Sequence, residues 1–295
     1  MRIAIASFSQ MPPEFRDDEQ LADALRARDA AVAIEPWDEP DVDWDPFDVV
    51  VIRSTWNYAR RRDEFLAWCE RIGERLHNAP ALVRWNSDKR YLRDLAAAGL
   101  RVVETRYLEP GDAAPDLEGE VVVKPNVSAG GRDTGRFGPA THDDAYELIE
   151  RIQESGRTAM VQGYQPTVDT VGETAVLCID GEPAHALRKR AVLRPDEVAP
   201  VRDDGVGAAE IMYDPGLVTA TEATPAELDH ARAIVGHVRE RFDYMPLYAR
   251  VDTISGRDGE PVLMELEAIE PNFYLNQVPA TAKRVADAIL ARGGA

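Results

Sequence analysis

YARVDTISGRDGEPVLMELEAIEPNFY, residues 248–274, places Asp252, Glu265, Glu267 and Glu270 in a segment that otherwise reads as two strands around a Gly-containing turn. Leu263, Leu266 and Ile269 embed these acids in apolar sequence. Carboxylates held beside apolar strand residues need a compensating cation or hydrogen bonds. A hard divalent ion such as Mg²⁺ is one such partner, because it prefers oxygen ligands.

A second stretch, VVVKPNVSAGGRDTGRF at 121–137, supplies complementary chemistry. Its apolar start reads as a strand that delivers Lys124 at its end. Ser128, Gly130 and Gly131 then form a small-residue segment. Such a segment lets backbone N–H groups approach phosphate oxygens while a lysine adds a point charge. The order Gly–Lys–Ser/Thr of a Walker A loop is absent, as is the dinucleotide glycine fingerprint. Taken alone, the loop reads equally well as an exposed turn with an incidental lysine. The acidic stretch downstream is what completes a triphosphate site, with cations on one side and metal-binding carboxylates on the other.

The chain has 295 residues, 44% hydrophobic and 29% charged, which fits a folded globular protein of two or three lobes. Its formal net charge of -19 and lack of a long basic run argue against general nucleic-acid binding. Cys69 and Cys178 stand far apart without metal-ligand spacing and give no disulfide framework. The N-terminal apolar run is too short for a signal peptide, and no run is long enough to span a bilayer. A cytoplasmic location is the expectation. No repeat at a fixed period is visible.

Strand and helix patterns alternate at the start: strands at 2–6, 31–34 and 47–52, helices at 18–28 and 61–76, and a further short strand at 81–83. This predicts a small parallel α/β domain over residues 1–84. Ser87 is placed to cap a helix through Lys89, Tyr91 and Leu95. Strands near 121 and 158 flank a helix at 143–153, giving a central lobe over 85–162. Strands at 174–179 and 184–190, a helix at 227–242, the acidic strand pair and a closing helix at 280–290 make a third lobe over 163–295. The polar segment 194–216 reads as an active-site lid or an idle surface loop.

These motifs, in this order, resemble the ATP-grasp superfamily over most of the chain. The resemblance implies an α/β ATP-grasp fold, in which two α+β lobes enclose ATP and an N-terminal domain binds substrate. Asn86-Ser87-Asp88-Lys89 resembles the start of the central lobe, where the family carries a phosphate-contacting lysine, here Lys89. Lys124 resembles the second nucleotide lysine. Residues 128–134, with Ser128, Gly130 and Gly131, resemble the mobile glycine-rich loop over the phosphates. Gln162-Gly163-Tyr164 resembles the hinge whose backbone recognises adenine, and Gly172-Glu173 the segment whose carboxylate, here Glu173, holds the ribose. Arg250-Val251-Asp252 resembles the Arg-x-Asp element, and Glu265-Leu266-Glu267 the paired metal ligands. The implied metal set is therefore Asp252, Glu265 and Glu267, with Mg²⁺ as the ion and Mn²⁺ as a substitute. Many relatives carry Asn where Glu267 stands, and Glu270-Pro271-Asn272 displaces the usual Pro-Gly ending.

Arg53-Ser54-Thr55-Trp56-Asn57-Tyr58 and the ending MELEAIEPNFYL are similar to a narrower branch that includes the cyclo-ligase forming D-cycloserine from O-ureido-D-serine. The implied activity is ADP-forming carboxylate–nitrogen ligation through an acyl phosphate on a small amino-acid-like substrate. Intramolecular ring closure is the enzymatic alternative, and a nucleotide-responsive module without turnover is the alternative of another class. Arg250 is the expected stabiliser of transferring charge, aided by Arg188 or Lys189. Arg53 reads as a substrate-carboxylate clamp or as a structural ion pair. Trp56, Asn57, Glu270 and Asn272 are the further candidates for substrate contact. Relatives often dimerise, so a homodimer is expected.

Overall fold

The computed structural model describes residues 1–11, 17–198 and 216–293. Its elements begin with β1 (Arg2–Ser7), α1 (Asp18–Arg26), β2 (Ala31–Pro36), β3 (Val49–Ile52), α2 (Arg62–Ile72), β4 (Leu76–His77), α3 (Pro80–Asn86) and α4 (Tyr91–Ala97). There follow β5 (Thr105–Leu108), β6 (Val121–Pro125), β7 (Gly135–Phe137), α5 (His142–Glu154), β8 (Ala159–Gly163), α6 (Thr167–Thr170), β9 (Glu173–Ile179) and β10 (Glu182–Lys189). The chain continues with β11 (Glu197–Val198), β12 (Val218–Thr221), α7 (Pro225–Phe242), β13 (Tyr248–Ser255), β14 (Pro261–Glu267) and α8 (Ala280–Arg292).

The first sheet is parallel, in the order β2-β1-β3-β4. All four residues of β3 are buried, as a strand covered on both faces requires, which is why its sequence is continuous Val and Ile. The two other sheets are antiparallel, ordered β11-β7-β6-β8-β5 and β12-β10-β9-β13-β14. The short strand β11 belongs to the third region of the chain yet completes the sheet of the central one. The C-terminal helix α8 also crosses regions: its Val285, Ala286 and Ile289 share one core with Ile3, Ile5, Leu21 and Leu25.

Three local expectations are corrected. Residues 81–83 lie in the helix α3, not in a strand. Pro80 at the first helical turn starts it, and Leu82, Val83 and Asn86 are its buried positions. Three apolar residues are too few for periodicity to separate strand from helix. Ser87 does not cap α4. Its hydroxyl donates to Arg84 O at 2.8 Å and accepts from Arg62 Nε at 2.9 Å, so it closes α3, while α4 begins at Tyr91 without a side-chain cap. The helix expected over 61–76 is interrupted at Gly73, whose φ of 62° lies in the left-handed region. By contrast, α7 has the local signals in full: Thr224 and Glu227 form a capping box around Pro225.

Polar side chains tie residues 52–86 to β13 and the exit of β14. Asn78 Nδ2 donates to Tyr248 O and Ala268 O, each at 2.8 Å, and its Oδ1 accepts from Leu247 N at 2.6 Å. Asn86 Nδ2 donates to Leu266 O at 2.8 Å, and its Oδ1 accepts from Ala268 N at 2.7 Å. Tyr248 Oη lies 2.6 Å from Ile52 O and 2.7 Å from Ile269 O. The exit of β14 is thus held from three sides. Asn78→Ala leaves three buried backbone groups without partners and is expected to lower unfolding free energy by roughly 3 kcal/mol or more. Urea unfolding measures this; a change within about 0.5 kcal/mol would show that Asn78 is not a structural pin.

Candidate active site

A cavity of about 360 Å³ lies between the two antiparallel sheets and reaches the N-terminal domain at Trp56 and Tyr58. Its charged wall is set by strand register. Arg250 pairs with Glu267 and Asp252 with Glu265 across β13 and β14. Period-two alternation puts these four side chains on one face, while Val251 and Leu266 enter the apolar core behind it.

The buried Asp252 accepts from Arg250 Nε and Nη2, both at 2.8 Å, and from Lys189 Nζ at 2.8 Å. Burial alone would raise its pKa, but these two cations hold it well below the usual carboxylate range. Lys189 also lies 3.1 Å from Glu173, and its pKa is raised against the opposing effect of burial. Gly172 allows this geometry: its φ is +83°, and a Cβ there would sit 2.4 Å from Lys189 O. Arg250 also donates to Glu267 Oε1 and to Asn272 O.

Lys89 Nζ donates to Ser128 O at 2.7 Å and lies 3.3 Å from Glu265 Oε1. Lys124 lines the same cavity, and among the described residues its ammonium has neither an ion pair nor a hydrogen bond. Burial lowers its pKa, with Glu265 acting in the opposite sense. Glu265 is lowered, because Lys89 and Lys124 outweigh its burial. Glu267 is pushed up to about 7 by burial, despite Arg250. Glu270 is raised well above the usual range by burial and then by Glu267.

The structure brings together Lys89, Lys124, Ser128, Gly130, Gly131, Gln162, Gly163, Tyr164, Glu173, Lys189, Arg250, Glu265, Glu267, Glu270, Asn272 and Trp56 around this one cavity. Gly130 and Gly131 adopt φ values of 64° and 71°. The expected metal triad does not converge: Asp252 is turned to Arg250 and Lys189, and among the described residues no group of three His, Cys, Asp or Glu side chains is arranged to hold a metal ion. Glu265 and Glu267 remain as oxygen donors facing the cavity. Both line the same cavity, and their oxygen-donor chemistry fits a hard divalent ion.

Three sequence candidates point elsewhere. Arg53 is 3% exposed and does not line the cavity: its Nη1 donates to Pro271 O at 2.7 Å, its Nε lies 3.9 Å from Asp18, and its guanidinium stacks on Phe273 at 3.3 Å. These contacts are those that the structural ion-pair reading expects. Asn57 is committed to Trp37 Nε1 at 2.7 Å and Asp38 at 2.8 Å, likewise outside the cavity. Arg188 alternates with Lys189 along β10, leaving it beside Glu227 rather than among the cavity-lining residues.

The sequence reading did not find Arg136. This buried guanidinium pairs with Glu120 and Asp169 and stacks on Tyr164 at 3.5 Å, tying β7 to the hinge after β8. It also missed the apolar lining of Val103, Val122, Val168 and Met264, contributed by separate elements with no shared motif. The candidate lid at 194–216 falls largely on 199–215, outside the described residues. Among the described residues, no helix is long and apolar enough to cross a membrane.

Two antiparallel sheets closing on a lysine- and carboxylate-lined cavity, preceded by a parallel α/β domain, define an ATP-grasp ligase. D-Alanine–D-alanine ligase from Bacillus anthracis complexed with ATP shares this fold with a TM-score of 0.67 at 15% identity, over 99% of this chain and 97% of that one. The family description "D-cycloserine synthetase DcsG, N-terminal domain" matches residues 3–78. The cycloserine biosynthesis protein DcsG of Streptomyces lavendulae is 33% identical, over 96% of this chain and 93% of that one. The crystal structure of D-cycloserine synthetase DcsG superposes with a TM-score of 0.88 at 31% identity, over 99% of this chain and 100% of that one. The chain belongs to the DcsG family of ATP-grasp ligases.

Arg53→Met removes the guanidinium but keeps a long side chain. It removes the cation facing the buried Asp18, which keeps its hydrogen bond from Ser54, and is expected to lower unfolding free energy by about 3 kcal/mol, with Mg·ADP stabilising the variant as much as the unaltered chain. Thermal unfolding with and without Mg·ADP tests it. Unchanged stability with lost ligand protection would return Arg53 to the binding site.

Proposed function

We propose that this chain uses ATP to activate the carboxylate of a small amino-acid-like substrate and closes a ring by attack of a nitrogen in the same molecule, as the name of its DcsG relatives suggests. The observation that carries the nucleotide half is Lys124, an ammonium without an ion pair among the described residues, in the same cavity as Glu265. Similarity along nearly the whole chain, including the N-terminal domain, supports the ring-closing half.

Residues 1–84 contribute the substrate side, 85–162 the phosphate side and 163–295 the carboxylate wall. Lys89 and Lys124 neutralise phosphate oxygens. The loop with Ser128, Gly130 and Gly131 covers them and keeps water from the activated carbonyl. The backbone of Gln162, Gly163 and Tyr164 meets the adenine edge, with Val103, Val122, Val168 and Met264 as its apolar slot. Glu173 receives the ribose hydroxyls. Glu265 and Glu267 would hold Mg²⁺, with Asp252 joining if its hold on Lys189 relaxes. When bound, this ion supplies charge neutralisation to the triphosphate.

The substrate carboxylate attacks the γ-phosphorus, forming an acyl phosphate and releasing ADP. The nitrogen then attacks the carbonyl carbon, phosphate leaves with the bonding electrons, and the nitrogen's proton passes to the departing phosphate. Arg250, held rigidly by Asp252 and Glu267, faces the charge that develops in both steps. Lys189 supports that arrangement through Asp252.

The test is ADP release from Mg·ATP against amino acids, small amines and ureido amino acids, with mass analysis of the product. A product lighter than its single organic substrate is expected. A product heavier than either of two joined substrates would replace ring closure with intermolecular ligation. Lys124→Ala is expected to lower kcat/KM for ATP roughly a hundredfold, the loss of a charged hydrogen bond to phosphate. An unaltered value would remove Lys124 from the nucleotide site.

A further inference from the structure

Four carboxylates of the acidic strand pair and its exit lie at or beside the cavity, and three of them meet cations of the protein. Asp252 has Arg250 and Lys189, Glu265 has Lys89, and Glu267 has Arg250. Glu270 lines the cavity as well; its own backbone N–H reaches its carboxylate, but among the described residues no cation is within ion-pair distance of it. Leaving a carboxylate unpaired in a largely closed site costs stability. The position of Glu270 therefore calls for a cation that the folded chain does not itself bring.

Its neighbours narrow the kind of cation. Trp56 and Tyr58 line the same end of the cavity. The Trp56 indole N–H donates to the Glu270 carbonyl at 3.2 Å, which holds the ring beside this residue. Tyr58 is buried and packs on Phe65 with centroids 5.0 Å apart. Aromatic walls with a carboxylate form the usual environment for an organic ammonium, which draws on both the ring faces and the charge. A divalent metal would instead seek several oxygens, and the Glu265–Glu267 pair already provides the oxygen-rich part of the cavity. An anionic group is disfavoured beside Glu267.

We propose that Glu270, between Trp56 and Tyr58, seats the ammonium group of the amino-acid substrate and sets specificity for an amine over a hydroxyl at that position. This rests on the amino-acid-like substrate inferred above. Arg250 donates to the carbonyl of Asn272, two residues beyond Glu270, at 3.3 Å. An α-amino acid anchored by its ammonium at Glu270 would therefore present its carboxylate, two bonds away, on the Arg250 side. The N-terminal domain contributes the aromatic walls, so the seat forms only where that domain meets the third lobe.

The experiment titrates the full chain, loaded with Mg·ADP, with D-serine and with D-glycerate, which carries a hydroxyl in place of the amine. D-Serine is expected to bind roughly ten- to hundredfold more tightly, the value of a hydrogen bond to a charged group. In Glu270→Gln the two ligands are expected to bind within about threefold of each other. Mg·ADP affinity should be unchanged, and the ligand-free melting temperature should not fall, because the carboxyl removed has no salt-bridge partner among the described residues. Glu270→Asp, which keeps the charge, should retain part of the preference. Three results would overturn the assignment: no amine preference in the unaltered chain, full preference in Glu270→Gln, or loss of Mg·ADP affinity in that variant. ADP release and product mass are read separately. Amine selectivity without ring closure sinks only the ring-closing reading, and ring closure with unaltered selectivity in Glu270→Gln sinks only this proposal.

Discussion

Asp252 takes two nitrogens of Arg250 and the ammonium of Lys189, and Lys189 extends the chain of charges to Glu173. This network lies on the cavity face of β9, β10 and β13, between strands that are otherwise apolar. A single buried charge there would be prohibitive, whereas a set with matched signs and tight hydrogen bonds is tolerated. The same pairing fixes the direction of Arg250, and hence where a developing negative charge is best received. The rest of the site is arranged around it. Glu265 and Glu267 flank the pair on β14, Lys89 and Lys124 approach from residues 85–162, and Glu270 lies just beyond the end of β14.

Function in this fold depends on charges being almost, but not fully, balanced. Lys124 and Glu270 are left without an ion-pair partner among the described residues, one beside the expected phosphates and one beside Trp56. Each is a local loss of stability that a ligand of opposite sign recovers on binding. The protein offsets that loss with neutral hydrogen bonding around the site. Asn78, Asn86 and Tyr248 satisfy the backbone where β14 leaves the sheet, so the acidic stretch keeps its register under electrostatic stress.

Much of this was legible in the residues themselves. The alternation in β13 and β14 announces which acids share a face. The apolar strand before Lys124 and the glycines after it announce a loop shaped for oxyanions. The capping box of α7 marks that helix without help from tertiary contacts. Other positions carried no decisive local signal. Residues 81–83 favour a strand by composition but follow Pro80 into a helix. Arg53 and Arg188 look as available as Lys189 until burial and strand alternation are known. Arg136 looks like any surface arginine in sequence, since its partners Glu120, Asp169 and Tyr164 lie on other segments.

The sequence by itself determined the kind of chemistry: strand patterns, a lysine–glycine loop and a dense acidic pair are local features, set by side-chain type and spacing of two or three residues. Only the tertiary structure decided which charges pair internally and which remain for a ligand. That choice depends on distances of a few ångströms between segments far apart in the chain. Lys189 reaches Asp252 across 63 positions, and Arg53 reaches Pro271 across 218. Coulomb and hydrogen-bond energies fall steeply over those ångströms, so spacing along the chain carries no record of them.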